Sequence, residues 1–397
     1  MNLSKPKRVC FIVEADGWGG AEVHSLEFIK YLVSKGYYVE YVSCKNNYFN
    51  NEFTRIDPKH LKIIRTNLSI ADKHRETPKL WAHFLRSLKS DTLIFQHLCH
   101  DHGRLIFFKA CRKHFKKVYF IEHTFPPPME PKTSKLYFNG MIRGIGLWWH
   151  MKRFQKKQVP KCANKIIAVS NDVRNKLIKF IFYPPDRTIT VRNGVDWKRL
   201  SSIETTTDKL KRQYKLSPQA KAFGVLGRLS YEKGVDMAIE AFHIFATKNP
   251  DIDAYLFIVG QGIEEPILRK MVTDYKLEKK VIFTGFLTHP DKILPLFDVI
   301  LSPSRREGLP LALLEAMSAG CLPVIFRIGG MPEVITHNDL GWIVEPEDID
   351  GFAKAMEQAI TLDHNIVNQR KQFILEHIRN NFDSNKSFEQ IVETLSL

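Results

Sequence analysis

Glu307 and Glu315 stand eight residues apart in SPSRREGLPLALLEAMSAGC (302–321), the first in a polar run, the second among Leu313, Leu314, Ala316 and Met317. A carboxylate in such apolar company is rarely left without a partner. It turns to solvent on one helix face, or something polar meets it. Pro310 suits the first turn of a helix and Gly320 its C-terminal stop. Eight residues of helix would then separate the two acids by about 12 Å. That is close to the reach of a nucleotide sugar from hexose to ribose. Carboxylates accept from sugar hydroxyls, and the intervening loop and helix start offer N–H donors to a diphosphate. Without such a ligand, Glu307 is a solvated loop acid and Glu315 a surface helix position.

A second group of residues points to an anion. AFGVLG runs into Arg228, and LSYEKG places Lys233 and Gly234 at the start of a helical stretch, VDMAIEAFHIFA. A guanidinium, an ammonium and helix-start N–H groups make an anion site; the plain alternative is a surface loop with two solvated cations. The turn GQG before Glu264 is weaker evidence of the same kind. Asp251-Ile-Asp253 and Asp348-Ile-Asp350 have the form of a metal-binding acid pair, but read better as turn and cap residues. His97, His100, Asp101 and His102 look more like ligands. On a strand, however, two histidines two residues apart face opposite ways, so solvated or substrate-facing histidines are the preferred reading and no metal is expected.

These residues need a frame to hold them. Short apolar runs alternate with helix-like stretches: VCFIVEA (9–15), YYVEYVSC, DTLIFQH (91–97), KVYFIEH (117–123) and KIIAVS (165–170) read as strands. GAEVHSLEFIKYLVSKG (20–36) carries a helical apolar period, and NDVRNKLIKF a helix with an Asn cap. Residues 197–221 suit a linker. Then AFGVLG, AYLFIVG, KVIFTGF, VILSPS, LPVIF and GWIVEP repeat the alternation. Two series of βα units imply an α/β chain with two Rossmann-like, doubly wound parallel-sheet domains facing a cleft, with ligands beyond the carboxyl ends of the strands.

A chain of 397 residues is long enough for two cores. Six scattered cysteines with no CxxC spacing read as reduced thiols of a cytoplasmic protein. No run approaches the roughly 20 apolar residues of a spanning helix. The net charge of +16 is uneven. Residues 1–200 carry 37 Lys and Arg against 16 Asp and Glu, while residues 201–397 carry 22 against 27. The first half should therefore face an anionic surface or polymer. No nucleic-acid-binding motif accompanies the charge. GWGGAEV is not G-x-G-x-x-G, and YYVEYVSC lacks a terminal acid for a ribose, which argues against a dinucleotide oxidoreductase.

Taken in order, GWGGAEVHSLEFIKYL (17–32), VRNGVD (191–196), GRLSYEKGVD (227–236), IVGQGIEE (258–265), VIFTGF (281–286), VILSPS (299–304), SRREGLPLALLEAMSAGCLPVI, IGGMPEVI (328–335) and GWIVEP (341–346) resemble the family 4 retaining glycosyltransferases of GT-B fold. The resemblance is strong from 190 to 346 and loose over 40–120. It implies an acceptor domain, 1–196, and a nucleotide-sugar donor domain, 197–397, with the C-terminal helix packing back onto the first. Arg228 and Lys233 would hold the donor diphosphate, Glu315 the ribose, and Glu307 the donor sugar, with Gly308 and Leu309 completing the donor set. Gly19 and Gly20 would approach the diphosphate and the acceptor, and His123 the sugar and acceptor. The implied reaction moves a hexose with retention from a nucleoside-diphosphate sugar, UDP-linked, to a glycan or glycolipid of a bacterial surface polysaccharide or lipopolysaccharide. It needs no cofactor and no metal; a lipid head-group glycolipid synthase is the alternative. Arg305, Arg306 and Arg327 depart from the common pattern and leave the donor sugar open.

The basic half carries two further features. KACRKHFKK (109–117) holds five basic residues, and residues 141–161 set Trp148 and Trp149 beside Arg143, Lys152, Arg153, Lys156 and Lys157. Together they suggest peripheral attachment to the anionic inner face of the cytoplasmic membrane.

Overall fold

The computed structural model describes residues 7–14, 19–44, 51–70, 76–96, 104–125, 158–202 and 206–397. The chain divides into two compact units, Met1–Val191 with Phe388–Leu397, and Arg192–Ser387.

The first unit holds a seven-stranded sheet of β1 (Arg8–Val13), β2 (Tyr38–Ser43), β3 (Leu61–Arg65), β4 (Thr92–Gln96), β5 (Lys117–Glu122), β6 (Lys165–Ala168) and β7 (Thr188–Thr190). Its order is β3-β2-β1-β4-β5-β6-β7, with every pairing parallel. The central strands are covered on both faces, so RVCFIV and TLIFQ are apolar almost throughout rather than alternating. Strand order reverses between β1 and β4, which makes their carboxyl ends a topological switch point. The helix Gly20–Ser34 leaves that point and buries His24, Ser25, Leu26, Phe28, Ile29 and Leu32. The helix Ser384–Leu395 contributes Phe388 to this unit, stacked 5.2 Å from the ring of Phe28.

The second unit repeats the plan with β8 (Lys221–Leu226), β9 (Ala254–Val259), β10 (Val281–Gly285), β11 (Val299–Ser302), β12 (Leu322–Phe326) and β13 (Trp342–Val344), ordered β10-β9-β8-β11-β12-β13. Its switch point lies between β8 and β11. Phe223, Phe242 and Phe245 fill the core beneath the helix Val235–Lys248.

Several local expectations change. The strands β3 and β7 were not among the apolar runs. The helix Asn171–Ile181 is capped by Ser170, whose hydroxyl accepts from Val173 N, and not by Asn171. Residues 197–221 are no bare linker: they contain the helices Trp197–Ser201 and Thr207–Gln213, and Trp197 Nε1 donates 2.7 Å to Asp383. Asp348 caps the helix Ile349–Ile360 by accepting from Gly351 N, while Asp253 takes hydrogen bonds from Ser217 and Lys280.

Candidate functional site

In the second unit, a shallow hollow opens to solvent at the switch point. Its wall comes from the end of β8 and the loop after it (Gly227, Arg228, Lys233), and from β11 and its loop (Ser302, Ser304, Glu307, Pro310). Parallel strands with a right-handed crossover leave just such a crevice where the chain turns both ways from the sheet centre.

Lys233 Nζ donates 2.6 Å to Glu307 Oε1, and Ser304 Oγ donates 2.9 Å to the same oxygen. The Glu307 side chain is 10% exposed and that of Lys233 33%, so the pair is half withdrawn from water. Arg228 stands exposed at the rim. Two neighbouring arginines weld the loops together. Arg305 makes a two-pronged pair with Asp236 at 2.8 and 2.6 Å and lies 4.2 Å over the Tyr231 ring. Arg306 reaches Glu232 at 3.0 Å. The hydrogen bonds to Asp236 hold the Arg305 guanidinium in its charged form more firmly than usual. Partial burial pushes the Glu232 carboxyl up, yet hydrogen bonds from its own backbone and Ser230, and the charges of Arg306 and Arg228, bring it down overall. Arg305 and Arg306 are thus engaged in holding loops.

Backbone meets backbone around this rim. Gly234 has φ +64°, and a Cβ there would overlap the carbonyl oxygen of Pro303. Gly329 has φ +59°, and a Cβ there would overlap that of Glu307. Only glycine fits either place.

The helix Leu311–Ser318 starts after Pro310, which occupies the cap in an extended conformation rather than the first turn. Gly320 follows the helix with φ +84°, a left-handed stop. Half of the interval from Glu307 to Glu315 is therefore loop, and the 12 Å helical span expected from the spacing does not apply. Glu315 is half-buried on the helix, while Leu313, Leu314, Ala316 and Met317 around it are buried, so the acid takes the one more open face. It does not line the hollow that Glu307 lines. Gly308 and Leu309 are buried in the turn between them.

In the first unit, His123 follows β5, and its Nε2 lies 3.0 Å from Gln96 Oε1. The same oxygen accepts from Ser25 Oγ at 2.7 Å and lies 3.3 Å from His24 Nδ1. The His24 ring sits 4.8 Å from that of His123 and 5.4 Å from Phe388. Complete burial lowers the His24 pKa to about 4, against a small opposing contribution from Gln96, so this imidazole is neutral near pH 7. Gly19 is the extended cap of the helix Gly20–Ser34, and Gly20 has open space where a side chain would stand. His97, His100, Asp101, His102 and most of 141–161 lie outside the described residues.

Sequence reasoning did not find Ser304, Gln96 or His24. A hydroxyl three residues before Glu307, and a lone amide closing the apolar strand TLIFQ, were the available signals.

The profile described as Glycosyltransferase Family 4 matches residues 18–199, and that described as Glycosyl transferases group 1 matches residues 206–376. The chain belongs to the family 4 glycosyltransferases, and its two doubly wound sheets are the GT-B fold. N-acetyl-alpha-D-glucosaminyl L-malate synthase of Bacillus anthracis is 32% identical over 198 residues, covering 50% of this chain and 49% of that protein. UDP-Gal:alpha-D-GlcNAc-diphosphoundecaprenol alpha-1,3-galactosyltransferase of Escherichia coli is 27% identical over 232 residues, 58% of this chain and 59% of that one. The chain thus matches only part of the length of these relatives. The crystal structure of Anabaena HepE with UDP-glucose superposes with a TM-score of 0.76 at 18% identity, over 98% of this chain and 99% of the other.

Proposed function

We propose that this chain transfers a hexose from a UDP-linked sugar to a glycan or glycolipid acceptor, with retained anomeric configuration and without a metal, in the assembly of a cell-surface polysaccharide or lipopolysaccharide. The observation that carries the reading is the gathering of Arg228, Lys233, Ser304 and Glu307 around one hollow at the switch point of the second sheet. As the sugar leaves, negative charge grows on the departing diphosphate. Arg228 and Lys233 are fixed cations that stabilise that charge more in the transition state than in the ground state. For Lys233 to serve the diphosphate it must give up some of its bond to Glu307, and the carboxylate is then available to a sugar hydroxyl.

The donor assignment is supported by UDP-Gal in the name of the Escherichia coli relative and by UDP-glucose in the Anabaena complex. For the first unit, the family resemblance assigns the acceptor, and the cluster around His123 is that unit's offering to it. Lys109, Arg112, Lys113, Lys116 and Lys117 are all exposed, a basic face suited to the anionic membrane that would carry a lipid-linked acceptor.

The deciding experiment is a panel of nucleotide sugars tested for binding and for slow donor hydrolysis without acceptor. Response to one UDP-sugar above the rest is the expected result. Silence across the whole panel would sink the assignment.

A further inference from the structure

The motif VRNGVD takes no part in the reading above, yet its asparagine holds the loop that carries Glu307. Asn193 is 4% exposed and belongs to the second unit; its Nδ2 donates 2.9 Å to the carbonyl oxygen of Leu309. The two carbonyls before that one are also turned one way. Gly330 N donates 2.6 Å to Gly308 O, and Gly329 closes against Glu307 O.

Gly329 and Gly330 follow β12, which flanks β11 on the side away from β8. Across a trans peptide, the C=O and the next N–H point in opposite directions. With the carbonyls of Glu307 and Gly308 turned toward the β12 side, the N–H groups of Gly308 and Leu309 turn toward the β8 side. Arg228 and Lys233 follow β8. Among the described residues, neither N–H is given to a protein oxygen. Adjacent N–H groups aimed one way form a concavity for an anion. The next peptide has no N–H, because Pro310 follows, so its carbonyl is held by Asn193 rather than by the rim glycines. The Oδ1 of Asn193 is itself buried with no partner, a cost that a small apolar side chain would avoid.

We propose that Asn193 is a positioning residue: by gripping the Leu309 carbonyl it fixes the 307–309 turn so that the N–H groups of Gly308 and Leu309 face the anionic part of the donor. The inference rests on the donor-site reading given under Proposed function and adds a residue to it.

Asn193→Asp tests it, because the variant keeps the shape and changes only the donor. As a carboxylate it offers Leu309 O nothing but repulsion; once protonated it regains an O–H to donate. Titration calorimetry with UDP on the full chain, from pH 8 to pH 5.5, reads the difference. At pH 8 the variant is expected to bind UDP at least about tenfold more weakly than the unsubstituted chain, the scale of one broken buried hydrogen bond. The gap should close as the pH falls. Asn193→Ser, too short to reach Leu309, should show a similar loss at every pH, and it serves alone if the Asp variant does not fold. Undiminished affinity in either variant overturns the proposal. So does a loss in Asn193→Asp that does not recover at low pH, which would mark a merely structural role. If the unsubstituted chain binds no UDP at any pH, the donor-site reading fails, and this inference falls with it.

Discussion

Lys233 Nζ lies 2.6 Å from Glu307 Oε1, joining two loops 74 residues apart in the chain. The cation assigned to the diphosphate is therefore already paired before any ligand arrives. Glu307→Gln weakens that pairing and releases Lys233. The variant is expected to bind UDP at least as tightly as the unsubstituted chain while its kcat falls by about a hundredfold, the scale of one lost transition-state contact. Lys233→Ala should lose both binding and turnover. Calorimetry and initial rates on the two variants check this; equal UDP losses in both would contradict it.

Glu315 separates from Glu307 in its effect. It does not line the hollow, and its assigned partner, the ribose, is bound in ground and transition states alike. Glu315→Gln should mainly raise the donor KM, and Glu307→Gln mainly lower kcat. Steady-state kinetics with a UDP-sugar distinguishes the two patterns.

Arg305 and Asp236 form a two-pronged pair, with side chains 18% and 35% exposed. Removing either partner frees the loop that holds Glu307. Arg305→Ala and Asp236→Ala should each reduce turnover several-fold, and the double variant should be little worse than the singles. Such non-additivity is the mark of two groups acting as one. Strict additivity would show that they act separately.

Acid should weaken the first unit through His24. Its folded pKa of about 4 lies below the ordinary histidine value of 6.5, so the unfolded chain takes up the proton first. The stabilisation is complete above pH 6.5 and is lost as the pH falls toward 4, by about 3 kcal/mol in all. His24→Gln, neutral at every pH, should flatten that part of the profile. Denaturant unfolding at pH 7 and pH 5 on both proteins measures it.

The basic face gives a prediction of its own. Replacing Lys109, Lys113 and Lys116 with Glu should release the chain from vesicles rich in anionic lipid and leave UDP binding intact. Co-sedimentation at low and high salt reads the outcome. Binding that ignores lipid charge would turn the face over to another anionic partner.

Much of this architecture was written in apolar runs. All six strands of the second sheet showed as such: the inner four are apolar because both faces are buried, and the edge strands β10 and β13 keep apolar runs in VIF and WIV although they are only partly buried. β3 and β7 did not: LKIIR and TIT are short and lie at the sheet edges, where side chains stay partly exposed. The glutamate spacing marked a loop running into a helix, but not the proline cap that delays the helix and leaves half of the interval as loop. Arg228, Lys233 and Glu307 were legible as types in motifs. The Lys233–Glu307 bond was not, because nothing local records which of many cations a carboxylate will meet across a fold. Gln96 gathers Ser25, His24 and His123 on one amide oxygen, and Asn193 makes one amide contact 116 residues away in the chain; neither leaves a period to read.

The glycine seams at Gly234 and Gly329 bear on how such a site can diverge. A methyl group at either would drive two loops apart, so the rim itself is closed to substitution. Ile263 and Phe286, by contrast, project from the loops after β9 and β10, exposed and outside the loop-holding contacts. New preferences among sugars can arise there by single exchanges that leave the frame untouched. Heritable variety in this chain should therefore collect on those side chains, with the backbone beneath them held constant.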